Sequence, residues 1–504
     1  LTYEYLYNGG GVAVGDFNND GLVDLFFGGN QVPCKLYINT GNFKFSDYTA
    51  HSGIDTNGIW AYGLAVVDIN QDGFLDIYIS AGGIGNRDIF PNQLYINQGD
   101  LTFKEEALAY GLADAGESMQ ALFFDYDRDN DLDLYLLTGG GFEKSAVIAR
   151  PVVKDGSARN TDRLYRNDFD ETLGHAVYTN VSTQAGIAEE GFGLGVALTD
   201  ANEDGWPDIY VTNDYLSHDL LYINNQNGTF TDHANEYLKH TSHFAMGNDA
   251  GDINNDGALD LVSVDMLPEN YYRRKLMFGP NQYDRFYTAV QFGYGYQYMR
   301  NTLQLNQGAG SFSEIGQLAG VDKTDWSWAP LLADFDLDGF VDLYITNGYG
   351  KDVTDLDFVK FRSENLSMLN RDMQRVVMID SLANRPEVKI PNYMYKNNGD
   401  LTFKQVAAEW GLDQPSLSNG AAYADLDNDG DLDLIVSHIN AMPSVYKNQN
   451  ESIHPDNRYL KFVLVGDSKN RFAVGARVEV THQHVIYAVE QVPNRGFESS
   501  VDHR

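Results

Sequence analysis

Cysteine is almost missing: Cys34 is alone among 504 residues, so no intrachain disulfide can form. Loop rigidity must come from another source, and Cys34 itself reads as a small packed apolar residue. No run of eighteen apolar residues occurs, which excludes a membrane-spanning helix in this stretch. No heptad pattern occurs either, which excludes a coiled coil. Positive charge is scarce. Lys and Arg number 35 against 72 Asp and Glu, giving a net charge of −37 and a pI near 4.4. A surface of that sign repels phosphate backbones, so nucleic acid is excluded as a partner. No Cys or His stands at zinc-ligand spacing, which disfavours zinc; His482 and His484, alternating on one strand, read as surface residues. The chain starts at Leu1 with neither Met nor leader and stops within a β-like segment, so it is expected to be a fragment.

What is plentiful points to β structure. Hydrophobic residues make up 43%, and 32 Tyr, 27 Phe and 49 Gly suit short strands joined by many turns. One nine-residue phrase, Asp-x-Asn/Asp-x-Asp-Gly-x-x-Asp, occurs seven times. Its oxygen-bearing positions 1, 3, 5 and 9 are Asp16, Asn18, Asp20 and Asp24, then Asp68, Asn70, Asp72 and Asp76. The third and fourth copies offer Asp125, Asp127, Asp129 and Asp133, then Asp200, Asn202, Asp204 and Asp208. The last three offer Asp252, Asn254, Asp256 and Asp260; Asp334, Asp336, Asp338 and Asp342; and Asp425, Asp427, Asp429 and Asp433.

Oxygen ligands converging on a tight, glycine-hinged turn are what Ca²⁺ requires, since it takes six to eight oxygens in flexible geometry. Mg²⁺ prefers to keep its water, so up to seven Ca²⁺ ions are the expected cofactors. An EF-hand would need Glu at position 12; here that position holds Phe27, Ile79, Leu136, Val211, Ser263, Ile345 and Val436, all of strand type. The sixth and seventh loops place carboxylates at all four positions and should bind most tightly. Asn130 replaces glycine in the third and should be tolerated. Pro207 and Asn202 should weaken the fourth.

A frame surrounds each loop: a small-residue strand before it, an apolar strand after it, a Leu-Tyr-x-Asn strand such as Leu36–Asn39, and a short fourth strand such as Phe43–Phe45. Four antiparallel strands per unit, seven times over, describe a closed seven-bladed β-propeller better than an open solenoid, because closure removes exposed ends. Residues 1–452 are assigned to it, with strand 1–7 closing the last blade. Long insertions, 139–162, 265–300 and 347–392, all leave the connection between second and third strands and so should share one face. The first carries Lys144, Arg150, Lys154 and Arg159. The last contains an amphipathic stretch, Leu356 to Leu382, that reads as one or two helices, with Asp352, Asp355 and Asp357 as helix-start carboxylates. Residues 457–504 read as a partial, separate small β domain. The fold class is therefore all-β: a seven-bladed propeller with calcium-binding loops followed by a truncated β domain.

These repeats resemble the FG-GAP/VCBS family, whose calcium-loop blades also build integrin α-chain heads. Arg458-Tyr459-Leu460, Gly475-Ala476-Arg477-Val478 and Arg495-Gly496-Phe497 resemble the ASPIC/UnbV domain that follows such repeats in cartilage acidic protein relatives. The resemblance implies a secreted, cell-surface or outer-envelope calcium-binding protein with no established catalysis. The leading expectation is a binding or adhesion scaffold that recognises a protein or glycan at the cell surface through the insertion face. The alternative is a lyase-like or hydrolase-like glycan handler using Tyr271, Tyr272, Tyr283, Tyr294, Tyr296, Arg273 and Arg274. Asn180-Val181-Ser182 and Asn227-Gly228-Thr229 match the glycosylation acceptor pattern.

Overall fold

The computed structural model describes residues 8–82, 90–140, 148–170, 172–279, 283–366, 369–483 and 485–503. Seven antiparallel sheets follow one another along the chain. Blade 1 has strands Val12–Gly15, Asp24–Phe27, Lys35–Asn39 and Phe45–Asp47. Blades 2 and 3 run Trp60–Val67 to Phe103–Glu105 and Ser118–Phe124 to His175–Asn180. Blades 4 to 6 begin at Gly193–Thr199, Asn248–Gly251 and Ser327–Ala333. Blade 7 has three strands among the described residues: Ser418–Ala424, Asp433–His438 and Ser444–Tyr446. The expected closing strand 1–7 lies outside the described residues.

The innermost strands of blades 2, 3, 4 and 6 are buried along their whole length because they line the axis and pack between neighbours. Each blade buries its faces on the next. Ala65, Val67 and Tyr78 of blade 2 pack with Ala121, Phe123 and Leu134 of blade 3. The ring closes the same way, with Val12, Val14 and Leu25 against Ala422, Ala424 and Ile435. The Asn of most Leu-Tyr-x-Asn strands adds a polar stitch, Asn167 instead donating within its own blade to the Leu132 carbonyl. Asn39 Nδ2 donates to the Leu426 carbonyl across the closure, and Asn97, Asn224, Asn397 and Asn448 repeat this toward their preceding blades. A buried amide that satisfies a neighbour's carbonyl fixes blade spacing as well as packing.

Two expectations need correction. The chain is mainly β rather than all-β. The sixth-unit insertion forms two helices, Leu356–Leu366 and Arg371–Ala383, the second capped by Asn370 accepting from the Met373 N–H. The fifth-unit insertion also forms helices, Tyr271–Met277 and Tyr283–Gln291, which were not anticipated; Asn270 caps the first by accepting from the Arg273 N–H.

The C-terminal segment is also not held apart from the propeller. After the hairpin Arg477–His482 and Val485–Glu490, strands Asn494–Arg495 and Ser499–Ser500 join the sheet of blade 1, with Ser500 in parallel register beside Ala13. Phe497 and Glu498 are fully buried. This tail touches the innermost strands around the ring: Glu498 O accepts from Leu64 N, Gln120 accepts from Glu498 N, Arg495 pairs with Asp249 at 3.0 Å, and Phe497 packs on Trp328. It therefore fills the axis. Small residues in the first strands make the room: a Cβ on Gly11 would lie 1.6 Å from the Glu498 carbonyl oxygen.

Candidate metal centres

Each acidic loop is the hairpin joining the first and second strands of a blade, so all seven lie on one face. Their internal hydrogen bonds repeat. The carboxylate at position 1 accepts from the N–H of position 5 in all seven, as Asp16 does from Asp20 at 3.0 Å. The carboxylate at position 9 is buried, accepting from the N–H of position 2 on one oxygen and from the third-strand Asn on the other. For Asp24 these donors are Phe17 at 3.1 Å and Asn39 at 2.8 Å. The same pair is made by Asp76, Asp133, Asp208, Asp260, Asp342 and Asp433. Position 6 has positive φ throughout, from 69° at Asn130 to 97° at Gly430, which explains glycine there and asparagine as its substitute.

Burial with like charges nearby works against ionisation in these loops. It pushes the position-9 carboxyl up to about 7 at Asp24, Asp208 and Asp433, about 8 at Asp260 and Asp342, and about 9 at Asp133. Desolvation is the first cause at each, and neighbouring loop carboxylates add to it. A bound cation would offset both effects. The residues fit such an ion: Asp127 Oδ1 and Asp427 Oδ1 are buried without a hydrogen-bond partner. Ligand oxygens of Asp125, Asp127 and Asp133, of Asp334, Asp336 and Asp342, and of Asp425, Asp427 and Asp429 lie within 4.8 Å of one another.

The loops divide into two kinds. Where position 3 is Asn (Asn18, Asn70, Asn202, Asn254), the variable residue of Leu-Tyr-x-Asn is Ile38, Ile96, Ile223 or Leu305. Where it is Asp (Asp127, Asp336, Asp427), that residue is Arg166, Lys396 or Lys447. Lys396 bridges Asp336 and Asp338, reaching the latter at 2.6 Å, and Lys447 bridges Asp427 and Asp429, reaching the latter at 2.9 Å. Arg166 instead turns to Asp168 at 2.9 Å. The extra carboxylate thus comes with its own cation. In the sixth and seventh loops, expected to bind most tightly, a lysine stands against the extra carboxylate. These three basic residues were legible in the repeat, but only the structure sets Lys396 and Lys447 over their loops.

The C-terminal segment lies across the same face. Lys461 pairs with Asp425 at 3.1 Å and Lys469 with Asp131 at 3.1 Å. Arg471 donates to the Asp72 carbonyl, Arg477 to that of Gly257, and Asn457 to that of Asp336. Few cations exist in this chain, and several are spent here.

On the opposite face the glycan-handling candidates separate. Tyr271, Tyr272, Tyr283 and Tyr296 are exposed, whereas Tyr294 is buried. Arg273 is held between Asp325 at 2.6 Å and Asp352 at 2.7 Å, so it braces the insertions against each other. Arg274 lies over the Tyr271 ring. Asp355 caps its helix by accepting from the Phe358 N–H, whereas Asp352 serves the Arg273 pair. Lys154 and Arg150 are tied to Glu189 and Glu190. Lys144 and His484 lie outside the described residues.

A ring of seven antiparallel blades, six of four strands and one of three among the described residues, each presenting one acidic hairpin, defines a repeat propeller. The chain belongs to the FG-GAP-like repeat family, whose model matches residues 8–79, 200–263, 288–345 and 376–436, more than half its length. Residues 466–504 match the ASPIC and UnbV model. Cartilage acidic protein 1 of Mus musculus is 26% identical over 208 residues, 40% of this chain and 28% of that protein. The Homo sapiens protein is 26% identical over 211 residues, 41% of this chain and 28% of its own length. The match thus spans little more than a quarter of those relatives. Among solved structures, a rhamnogalacturonan lyase aligns with a TM-score of 0.39 and 11% identity over 88% of this chain and 72% of its own. The fucose-specific lectin of Aleuria aurantia aligns with a TM-score of 0.33 and 9% identity over 68% of this chain and 89% of its own. Similarity at that level carries no argument about what this chain binds or does.

Proposed function

We propose that this chain is a calcium-stabilised extracellular scaffold whose insertion face binds a partner. The observation that carries the reading is the seven-fold repetition of one carboxylate cradle, with position-9 side chains buried among like charges. Such an arrangement is costly without a cation and stabilising with one. Calcium acts there as a structural clamp that joins the two inner strands of each blade. The metal face is partly covered by the C-terminal segment, which leaves the opposite face for recognition. That face presents Tyr271, Tyr272, Tyr283 and Tyr287 to solvent, the last two stacked at 5.9 Å. Exposed tyrosines supply contact area at low entropic cost and suit a protein or glycan surface.

Calorimetric titration of the chelator-stripped chain with Ca²⁺, paired with thermal melts, tests the clamp. Binding of several equivalents and a melting temperature raised by about 10 °C or more are expected, since binding only the native state stabilises it by mass action. A melt indifferent to millimolar calcium would overturn the reading.

A further inference from the structure

A different cluster of ligand atoms sits in blade 4, away from the acidic loops. Glu189 lies on the connection entering the blade, His218 between the second and third strands, and Asp232 at the end of the fourth strand. His218 Nε2 is 3.5 Å from Glu189 Oε1 and 3.6 Å from Asp232 Oδ2. All three ligand atoms lie within 4.8 Å of one another. His218 is 3% exposed and Glu189 7%. Yet neither His218 Nε2 nor Glu189 Oε1 has a hydrogen-bond partner.

The other oxygen of each carboxylate is already engaged. Lys154 donates to Glu189 Oε2 at 2.6 Å, and the Leu221 and Ala234 N–H groups donate to Asp232 Oδ1 at 3.1 and 3.0 Å. The outer contacts therefore orient both carboxylates and leave Glu189 Oε1 and Asp232 Oδ2 facing the imidazole. This is the arrangement that outer partners impose on metal ligands. The spacing discriminates further. An imidazolium paired with carboxylates would close to about 2.7–2.9 Å. Ligands on a tetrahedral zinc, at about 2.0–2.1 Å from the metal, stand about 3.3 Å apart. The observed separations, 3.5 and 3.6 Å, are longer than such a close ion pair and nearer to the second spacing.

We propose that Glu189, His218 and Asp232 bind one divalent transition-metal ion of the zinc type, through Oε1, Nε2 and Oδ2, with an open fourth position. Imidazole nitrogen among the ligands separates the site from the oxygen-only calcium loops. The buried Tyr222 hydroxyl adjoins the same carboxylates and offers an acceptor for a metal-bound water. The ligands lie too far apart in sequence to form a recognisable motif, so only the folded blade brings them together. The site would join the entry to blade 4, its second-to-third-strand connection, its outer strand and the Lys154 insertion. It stands independently of the calcium reading.

The test is zinc titration of the whole, chelator-stripped chain held in saturating calcium, with cobalt substitution read by visible absorption. One equivalent at submicromolar affinity and the spectrum of a tetrahedral cobalt site are expected. His218→Ala and Glu189→Gln should each weaken zinc binding at least tenfold while calcium stoichiometry stays unchanged. Glu189→Gln carries the test if His218→Ala loses the fold. The proposal fails if the wild-type chain takes up no stoichiometric zinc, or if a folded variant binds it as the parent does.

Discussion

On one face of the propeller, seven loops of nearly one sequence make one set of hydrogen bonds and are crossed by a basic C-terminal segment. On the other, short turns alternate with helical insertions, of which the fifth unit's exposes Tyr271, Tyr272, Tyr283 and Tyr287. The difference teaches how the work is divided. A repeated element must fit its neighbours, so its residues are set by geometry: a carboxylate wherever two N–H groups need an acceptor, glycine or Asn wherever φ is positive. An insertion answers to no repeated neighbour and is held only by single contacts such as the Arg273 pairs with Asp325 and Asp352.

The comparison can be broken, and its most sensitive point is the metal face. Chelation should lower the melting temperature by about 10 °C or more, through loss of several binding free energies at once. An equal melt with and without chelator would make the two faces alike. Gly11→Ala comes next. Its Cβ would collide with the Glu498 carbonyl and should expel the tail from the axis, at a cost of about 2–3 kcal/mol. Limited proteolysis should then cut near Phe497; unchanged resistance would mean that the tail merely lies on the surface. A smaller effect divides the loops themselves. Lys396→Met should tighten calcium at the sixth loop about tenfold, roughly 1.4 kcal/mol, by removing the cation shared by Asp336 and Asp338. The equivalent change Ile96→Met in the second loop should leave affinity unaltered. The smallest shift is expected from Tyr272→Ala and Tyr283→Ala, under about 1 °C in melting temperature, because both side chains are exposed. A drop of several degrees would assign them to packing.

Much of this was legible beforehand because repetition multiplies a weak signal. One Asp-rich turn means little; seven in register, each followed by Leu-Tyr-x-Asn, specify hairpins, blades and a ring. The helices at Tyr271–Met277 and Tyr283–Gln291 escaped notice because they occur once, in an aromatic-rich stretch with little periodicity. The resemblance of the last residues to a known domain suggested a separate body. Its residues were identified, and its place was not.

The order of the residues by itself determined the blade count, the ligand-type oxygens and the face that carries the insertions. Each depends on local spacing, and β-hairpins convert spacing directly into position. Only the tertiary structure decided that the tail enters the axis, that Lys396 and Lys447 sit over the acidic loops, and that Glu189, His218 and Asp232 converge. Those contacts join segments distant along the chain, and nothing but the closing of the ring brings them within reach.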